Sequence, residues 1–326
     1  MGDGAKRTRT DMPKPYRPSP LCPSGRRRAG TYAGLVIAGA HISSAGGLHN
    51  VPARAAAIGS DGVQVFIQSA RTWKPTAHKP EDLAVLRAAR ESGQVQYIAC
   101  HAIYFINLAT DEPELLKKSR SALLNTIDVA NAIAADGIVL HVGSHKGRGL
   151  EATLPQIVRE LQTALKRLDG PWLLLENSAG AGGTIGRDPV ELASIINAVD
   201  HPRLGMCIDT CHAYVSGVDV TDHQQLDALV TELDTRIGIE RLRCLHVNDA
   251  AAACGSNRDR HANVGQGEMG KGLAVTLSHP ALAGLPMLLE TPGAEGNGPD
   301  AAELTALRAL HKQGVTRRAA KARRAS

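Results

Sequence analysis

The sequence predicts a (β/α)8 barrel, an α/β fold in a single domain with disordered basic tails, and three observations carry that prediction. Eight short apolar runs recur along the chain, and helical patterns lie between them. Six of the eight runs carry, at or within two residues of their ends, a residue type that ligates metals. The first run leads into GAHISSAGG. That is not the GxGxxG phosphate turn expected after the first strand of an open, doubly wound sheet.

In order, the runs are LVIAGAH (35–41), GVQVFIQ (62–68), YIACH (97–101), GIVLH (137–141), WLLLE (172–176), LGMCID (204–209), LRCLHVN (242–248) and PMLLE (286–290). Apolar runs of this length suit strands buried on both faces, as in a parallel sheet. Between them, EDLAVLRAARES, ELLKKSRSALLNTIDVANAIAA, LPQIVRELQTALKRL and PVELASIINAV repeat apolar residues at helical spacing. Strands alternating with helices imply parallel pairing, and eight strands close a barrel. Aromatic residues make up 3% of the chain, so the core is built from Ala, Leu, Ile and Val. No apolar run approaches the roughly 20 residues of a membrane span.

Six runs carry His101, His141, Glu176, Asp209, His246 and Glu290 at their ends or, for His246, two residues before the end. A parallel barrel gathers the carboxyl ends of its strands at one face. Six ligand-type side chains then converge, and clustered carboxylates require compensating cations. In CIDTCHAY (207–214), His212 lies three residues past Asp209. In SNRDRH, Asp259 and His261 lie two apart and point to one side of an extended loop. With His212 they form a further mixed nitrogen and oxygen set. Cys207 and Cys211 lack the second Cys pair of a structural zinc site, so the expected ligands in this stretch are Asp209 and His212.

Charge is uneven. Residues 1–33 carry eight Lys or Arg against two Asp, and residues 312–326 carry six with no acid. The whole chain is only +5, so the body between is acidic. Basic ends suit a polyanionic partner, and solubility alone is the other reading. The expected organisation is a disordered basic extension at 1–33, a barrel at 34–312 and a basic tail at 313–326. Six scattered cysteines without a disulfide framework suit a reducing cytoplasm.

The stretches GAHISSAGGL, HAIYFINL, LHVGSH, LLENSAGAGG, GMCIDTCHAY, LHVNDAAAACGSNRDRHANVGQGEMG and LLLETP, in this order, closely resemble the endonuclease IV family. The resemblance covers about Leu35 to Lys312. It implies a barrel holding three zinc ions, with manganese an option at one. By position, the first site takes His101, His141 and Glu176. The second takes Glu176, Asp209, His246 and Glu290, with Glu176 shared. The third takes His212, Asp259 and His261.

The resemblance also implies hydrolysis of the phosphodiester 5′ to an abasic site in double-stranded DNA. The products are a 3′-hydroxyl and a 5′-deoxyribose phosphate, and blocked 3′ ends are cleared as well. Arg71, Tyr104 and Phe105 match positions that enter the duplex. Family members often carry Leu where this chain has Phe105, which leaves the details of lesion choice open. A monomer acting in the cytoplasm, on the nucleoid, is expected. His41 matches a family histidine outside the ligand set. Two rivals remain on residues alone. One is a two-metal sugar isomerase of similar barrel, which has no use for the third ligand set. The other is a DNA-binding protein with a structural metal core.

Overall fold

A computed structural model describes residues 36–325. The expected extension at 1–33 lies outside them. Strand β1 (Ala38–His41) is followed by α1 (Val51–Ile58), β2 (Gly62–Phe66), α2 (Pro80–Glu91), β3 (Tyr97–His101) and α3 (Pro113–Ala132). Next come β4 (Gly137–Leu140), α4 (Leu150–Leu165), β5 (Trp172–Glu176), α5 (Pro189–Val199) and β6 (Leu204–Asp209). Helices α6 (Thr210–Ser216) and α7 (His223–Ile237) precede β7 (Leu242–His246). A small hairpin of β8 (Asp249–Ala250) and β9 (His261–Ala262) follows, then α8 (Ala274–Leu277), β10 (Met287–Leu289) and α9 (Ala301–Ala325).

Strands β1 to β7 and β10 pair in parallel and close into a barrel, in the order β1-β10-β7-β6-β5-β4-β3-β2. All eight expected runs supply one barrel strand each. The strands look apolar throughout because both of their faces are buried. One set of alternate residues, including Ile98, Ile138, Leu173, Leu175, Met206 and Leu245, joins the core shared with the helices. The other set, Tyr97, Ala99, Val139, Leu174, Cys207, Cys244 and Leu288, forms a separate cluster that fills the barrel. Each fully buried Leu or Ile contributes about 1.5–3 kcal/mol.

Helix starts are set locally. Pro80, Pro113 and Pro189 occupy first-turn positions, where the missing N–H costs nothing. The side chain of Asp222 accepts from the N–H groups of Gln224 and Gln225 and caps α7.

At the C-terminus, α9 runs across the expected boundary at 313 and continues to Ala325. The segment is rich in Ala, Arg and Lys, which all favour helix, and it contains no proline.

Candidate metal centre

The period of two along each strand explains how the ligand-type residues meet. Leu174 and Glu176, Cys207 and Asp209, Cys244 and His246, and Leu288 and Glu290 are each two apart, as are Ala99 and His101, and Val139 and His141. The first member of each pair lies in the barrel-filling cluster. The second therefore points inward too, one layer higher, at the carboxyl end. Glu176, Asp209 and His246 are fully buried.

Glu176 sits at the centre. Its Oε2 lies 3.2 Å from His101 Nε2 and 3.1 Å from His141 Nε2, and its Oε1 lies 2.7 Å from His246 Nδ1. Glu290 Oε2 is 3.3 Å from the same His246 nitrogen. Asp259 faces two imidazoles, at 3.3 Å from both His212 Nε2 and His261 Nε2. Three groups thus have all their ligand atoms within 4.8 Å of one another. They are His101, His141 and Glu176; Glu176, Asp209, His246 and Glu290; and His212, Asp259 and His261. All nine expected positions are brought together, in the expected sets.

The second nitrogen of each ring fixes which atom faces inward. A carbonyl only accepts, so Nδ1–H of His101 donates to Ala102 O, that of His212 to Asn177 O, and that of His261 to Glu290 O. Nε2 of these rings is left for a ligand. His246 is reversed, with Nε2–H donating to Gln64 Oε1 at 2.8 Å and Nδ1 facing the carboxylates. These are the outer hydrogen bonds that orient metal-binding imidazoles. His261 Nε2 is buried and faces only carboxylates, Asp259 Oδ1 at 3.3 Å and Asp209 Oδ2 at 3.8 Å, as a nitrogen reserved for a cation would be.

The electrostatics fit the same reading. Burial opposes ionisation of Glu176, but His141 and His246, with hydrogen bonds from His101 and His246, hold it well below the usual carboxylate range. Burial opposes charge on His212, yet Asp209, Asp259 and Glu176 push it up to about 10. His261 goes up to about 9, against burial, through its bond to Asp259 and the charges of Asp209 and Glu290. The carboxylates thus draw protons onto the rings in the absence of a stronger cation. Burial pushes His141 the other way, toward the neutral form that ligates.

Cysteine also occurs in two groups, Cys207 with Cys244 and His246, and Cys211 with Asp209 and His261. Burial pushes the Cys207 and Cys211 thiols upward, so both are neutral. A neutral thiol is a poor ligand, and Cys207 belongs to the apolar filling of the barrel.

Three amides that the sequence did not single out complete the site. Gln64 on β2 is fully buried. It also donates to Glu290 Oε1 and to His41 Nδ1, which places His41 in the outer layer. Asn177 Oδ1 accepts from the Asp209 N–H at 2.7 Å. Asn248 donates to Asp209 Oδ2 at 2.6 Å and accepts from the Glu290 N–H at 2.8 Å. Asp209 Oδ1 accepts from the His212 N–H and caps α6. Gln64→Leu is expected to weaken metal binding by about 10–100-fold with the fold retained. Competition with a chelating dye measures this, and an affinity unchanged within twofold would remove Gln64 from that role.

Arg71, Tyr104 and Phe105 lie on the loops after β2 and β3, at the same end of the barrel. Tyr104 and Phe105 are 55% and 43% exposed, and only Val85 and Val315 join them as exposed large apolar residues among those described. Tyr104 packs on Phe66 and His101, and Phe105 on Trp73. Beside them opens a cleft of about 430 Å³ that reaches His141, His212, Asp259 and His261. Gly180, Gly182, Gly183 and Gly265 have φ of 60° to 90°, so turn geometry accounts for them. A Cβ on Gly267 would meet Ala250 O at 2.3 Å.

The sequence profile of a family described as xylose isomerase-like TIM barrel matches residues 52–312. A probable endonuclease 4 of Halothermothrix orenii is 37% identical over 273 residues, 83% of this chain and 98% of that protein. One of Thermosipho africanus is 35% identical over 263 residues, 79% of this chain and 93% of that protein. The crystal structure of endonuclease IV from Thermus thermophilus superposes with a TM-score of 0.74 at 34% identity, covering 84% of this chain and 98% of that one. A D-tagatose 3-epimerase-like protein superposes at 0.63, covering 86% of this chain and 98% of that one, but with 18% identity it shows only the shared barrel. The chain belongs to the endonuclease IV family.

Proposed function

We propose that this protein is a metal-dependent apurinic/apyrimidinic endonuclease of base-excision DNA repair. It cuts the phosphodiester 5′ to an abasic site in duplex DNA and leaves a 3′-hydroxyl and a 5′-deoxyribose phosphate. It also removes 3′-phosphate and 3′-phosphodiester blocks, since these too are displacements at phosphorus. The observation that carries the reading is the convergence of nine ligand-type side chains in three groups around Glu176, beside a cleft rimmed by exposed aromatics. His101, His141 and Glu176 would hold one ion, Glu176, Asp209, His246 and Glu290 a second, and His212, Asp259 and His261 a third. Imidazole and carboxylate suit zinc, with manganese an option at one site. Ions bound there would polarise the phosphate and lower the pKa of water near neutral pH.

The side chains of the chain do the rest. Glu176 and its buried neighbours hold their charges at a site shielded from bulk solvent, where each is worth more than in water. In this reading Arg71, Tyr104 and Phe105 enter the duplex, and the two aromatic rings fill the gap left by a missing base. An abasic nucleotide turns out of the helix at little cost, because nothing stacks or pairs on it. The third ligand set distinguishes this reading from a two-metal sugar isomerase. The protein is read as a monomer working on the DNA of the cytoplasm. Among the described residues, no helix is long and apolar enough to cross a membrane.

The test is a duplex with one stable abasic analogue, run in parallel with a ketose epimerisation assay. A single cut 5′ to the analogue, with a 3′ end that a polymerase extends, is the outcome expected. Epimerisation without incision would overturn the proposal. Phe105→Ala is expected to weaken binding of the lesion duplex by about 1–3 kcal/mol, the range for lost aromatic stacking. Binding to undamaged duplex should change little. Equal losses on both duplexes, in a mobility-shift titration, would place Phe105 outside lesion recognition.

A further inference from the structure

The far end of α9 is a basic element that the metal centre does not use. The helix starts beside the ligand end of the barrel, where Glu303 accepts from the Val264 N–H in the loop beyond β7. It then runs back along the barrel, where Leu304 and Leu307 are fully buried. At Arg308 it has reached the opposite edge. The Arg308 guanidinium donates to Gly59 O and Asp61 Oδ2, just ahead of the first residue of β2. The same Asp61 oxygen accepts from the N–H of Ala38, the first residue of β1. The helix continues for a further seventeen residues from there.

Gly314 is the last residue to pack closely, against Ala274 and Ser278. From Val315 to Arg324 every residue is exposed. Arg317 lies about 14 Å and Arg324 about 24 Å along the axis beyond Arg308, at 1.5 Å per residue. Arg317, Lys321 and Arg324 fall within about 60° of one another around the helix, a single cationic stripe with Arg318 beside it. No acid occurs from Lys312 to Ser326. The stripe is therefore a dense positive charge projecting from the end of the barrel away from Glu176.

We propose that this part of α9 binds duplex DNA, and that the DNA it binds is a second segment rather than the one being cut. The inference rests on the nuclease reading above. Charge complementarity identifies the partner class, since three or four cations in a row along a helix match a phosphate backbone. Position separates the two segments. A duplex seated on the metal face lies across the opposite end of the barrel from this helix, and a helix leading further away cannot reach it. The protein would then hold an undamaged segment while it acts on a neighbouring one, which favours transfer between segments.

The test uses the full chain and a variant with R317A, R318A, K321A and R324A. Alanine keeps the helix propensity, and the N-terminal extension is present in both proteins. One short duplex with the abasic analogue is fixed on beads. Capture of a second, labelled, undamaged duplex is measured as salt is raised, and incision of the free short duplex is measured separately.

The wild-type protein is expected to capture the second duplex. The variant should capture several-fold less, with the log–log salt slope smaller by about 3, and should cut the short duplex at the wild-type rate. Unchanged capture would overturn the proposal. So would an equal loss of capture and of short-duplex incision, which would put the helix on the cut duplex. Vesicles with anionic headgroups are the third arm, and retention on them without DNA capture would assign the helix to a membrane surface instead. Absence of incision in the wild type, with second-duplex capture intact, would count against the nuclease reading and not against the helix.

Discussion

Glu176→Gln protein is expected to lose incision by on the order of 10³-fold or more. The change is nearly isosteric, so its effect is electrostatic. Glu176 is the one carboxylate shared by two of the three ligand groups, and three imidazoles meet it. Its ionised form is favoured despite full burial because of the electrostatic effect of His141 and His246 and the hydrogen bonds from His101 and His246. Glutamine offers them a neutral oxygen and an N–H₂ that cannot ligate. His101 and His141 then lose their only carboxylate partner in the group, and His246 keeps Glu290 as its nearest one, with Asp209 4.0 Å away. Metal content should fall with activity, while the group of His212, Asp259 and His261 keeps its ion. A variant that retains its metal and cuts within tenfold of the wild-type rate would remove Glu176 from the centre of the account.

Metal uptake by the stripped protein is expected to release protons and to strengthen as pH rises. His212 and His261, pushed up to about 10 and about 9, are both protonated at pH 7 in the absence of metal. A cation at this group needs both Nε2 atoms bare, so each ion bound there expels about two protons. Each proton released makes affinity rise about tenfold per pH unit, until the pH passes the ring's own pKa. The gain therefore runs from pH 7 to about 9 and flattens by about 10.

Stability of the metal-free fold runs the other way. Raised imidazoles stabilise it fully below their ordinary pKa of 6.5, and that share is lost as pH climbs through 9 to 10. Asp259 and Glu290, both held low, contribute above their ordinary 3.8 and 4.5, and that share goes as the solution is acidified below them. Titration calorimetry in two buffers of different ionisation enthalpy counts the protons. Equal heats in both buffers would contradict this arrangement.

The sequence is informative about this fold for a physical reason. Strands buried on both faces cannot alternate, so each appears as an unbroken apolar run, and the runs stop where the ligand layer begins. A ligand such as His141 or Glu290 breaks its run visibly. Gln64 gives no such sign, because it falls inside GVQVF, and a lone amide in a strand has no spacing that marks it. Asn177 and Asn248 follow ligand strands within two residues, but the roles of their side chains depend on Asp209 and Glu290, which are 32 and 42 residues away. The β8–β9 hairpin is two residues per strand, too short for any periodicity, yet it is what delivers His261 to the site. At the C-terminus, composition indicated charge but not direction. That the charge is carried away from the ligand face follows only from the contacts of Arg308.

The most direct measurement is incision of the single-abasic duplex by protein whose metal content has been assayed, before chelation, after it and after zinc is restored. The account predicts a cut 5′ to the lesion by protein holding about three ions per chain, the number of ligand groups without cysteine among the described residues. It predicts loss of cutting when they are stripped and recovery when they return. Incision that survives complete metal removal, or none from fully loaded protein, would contradict it.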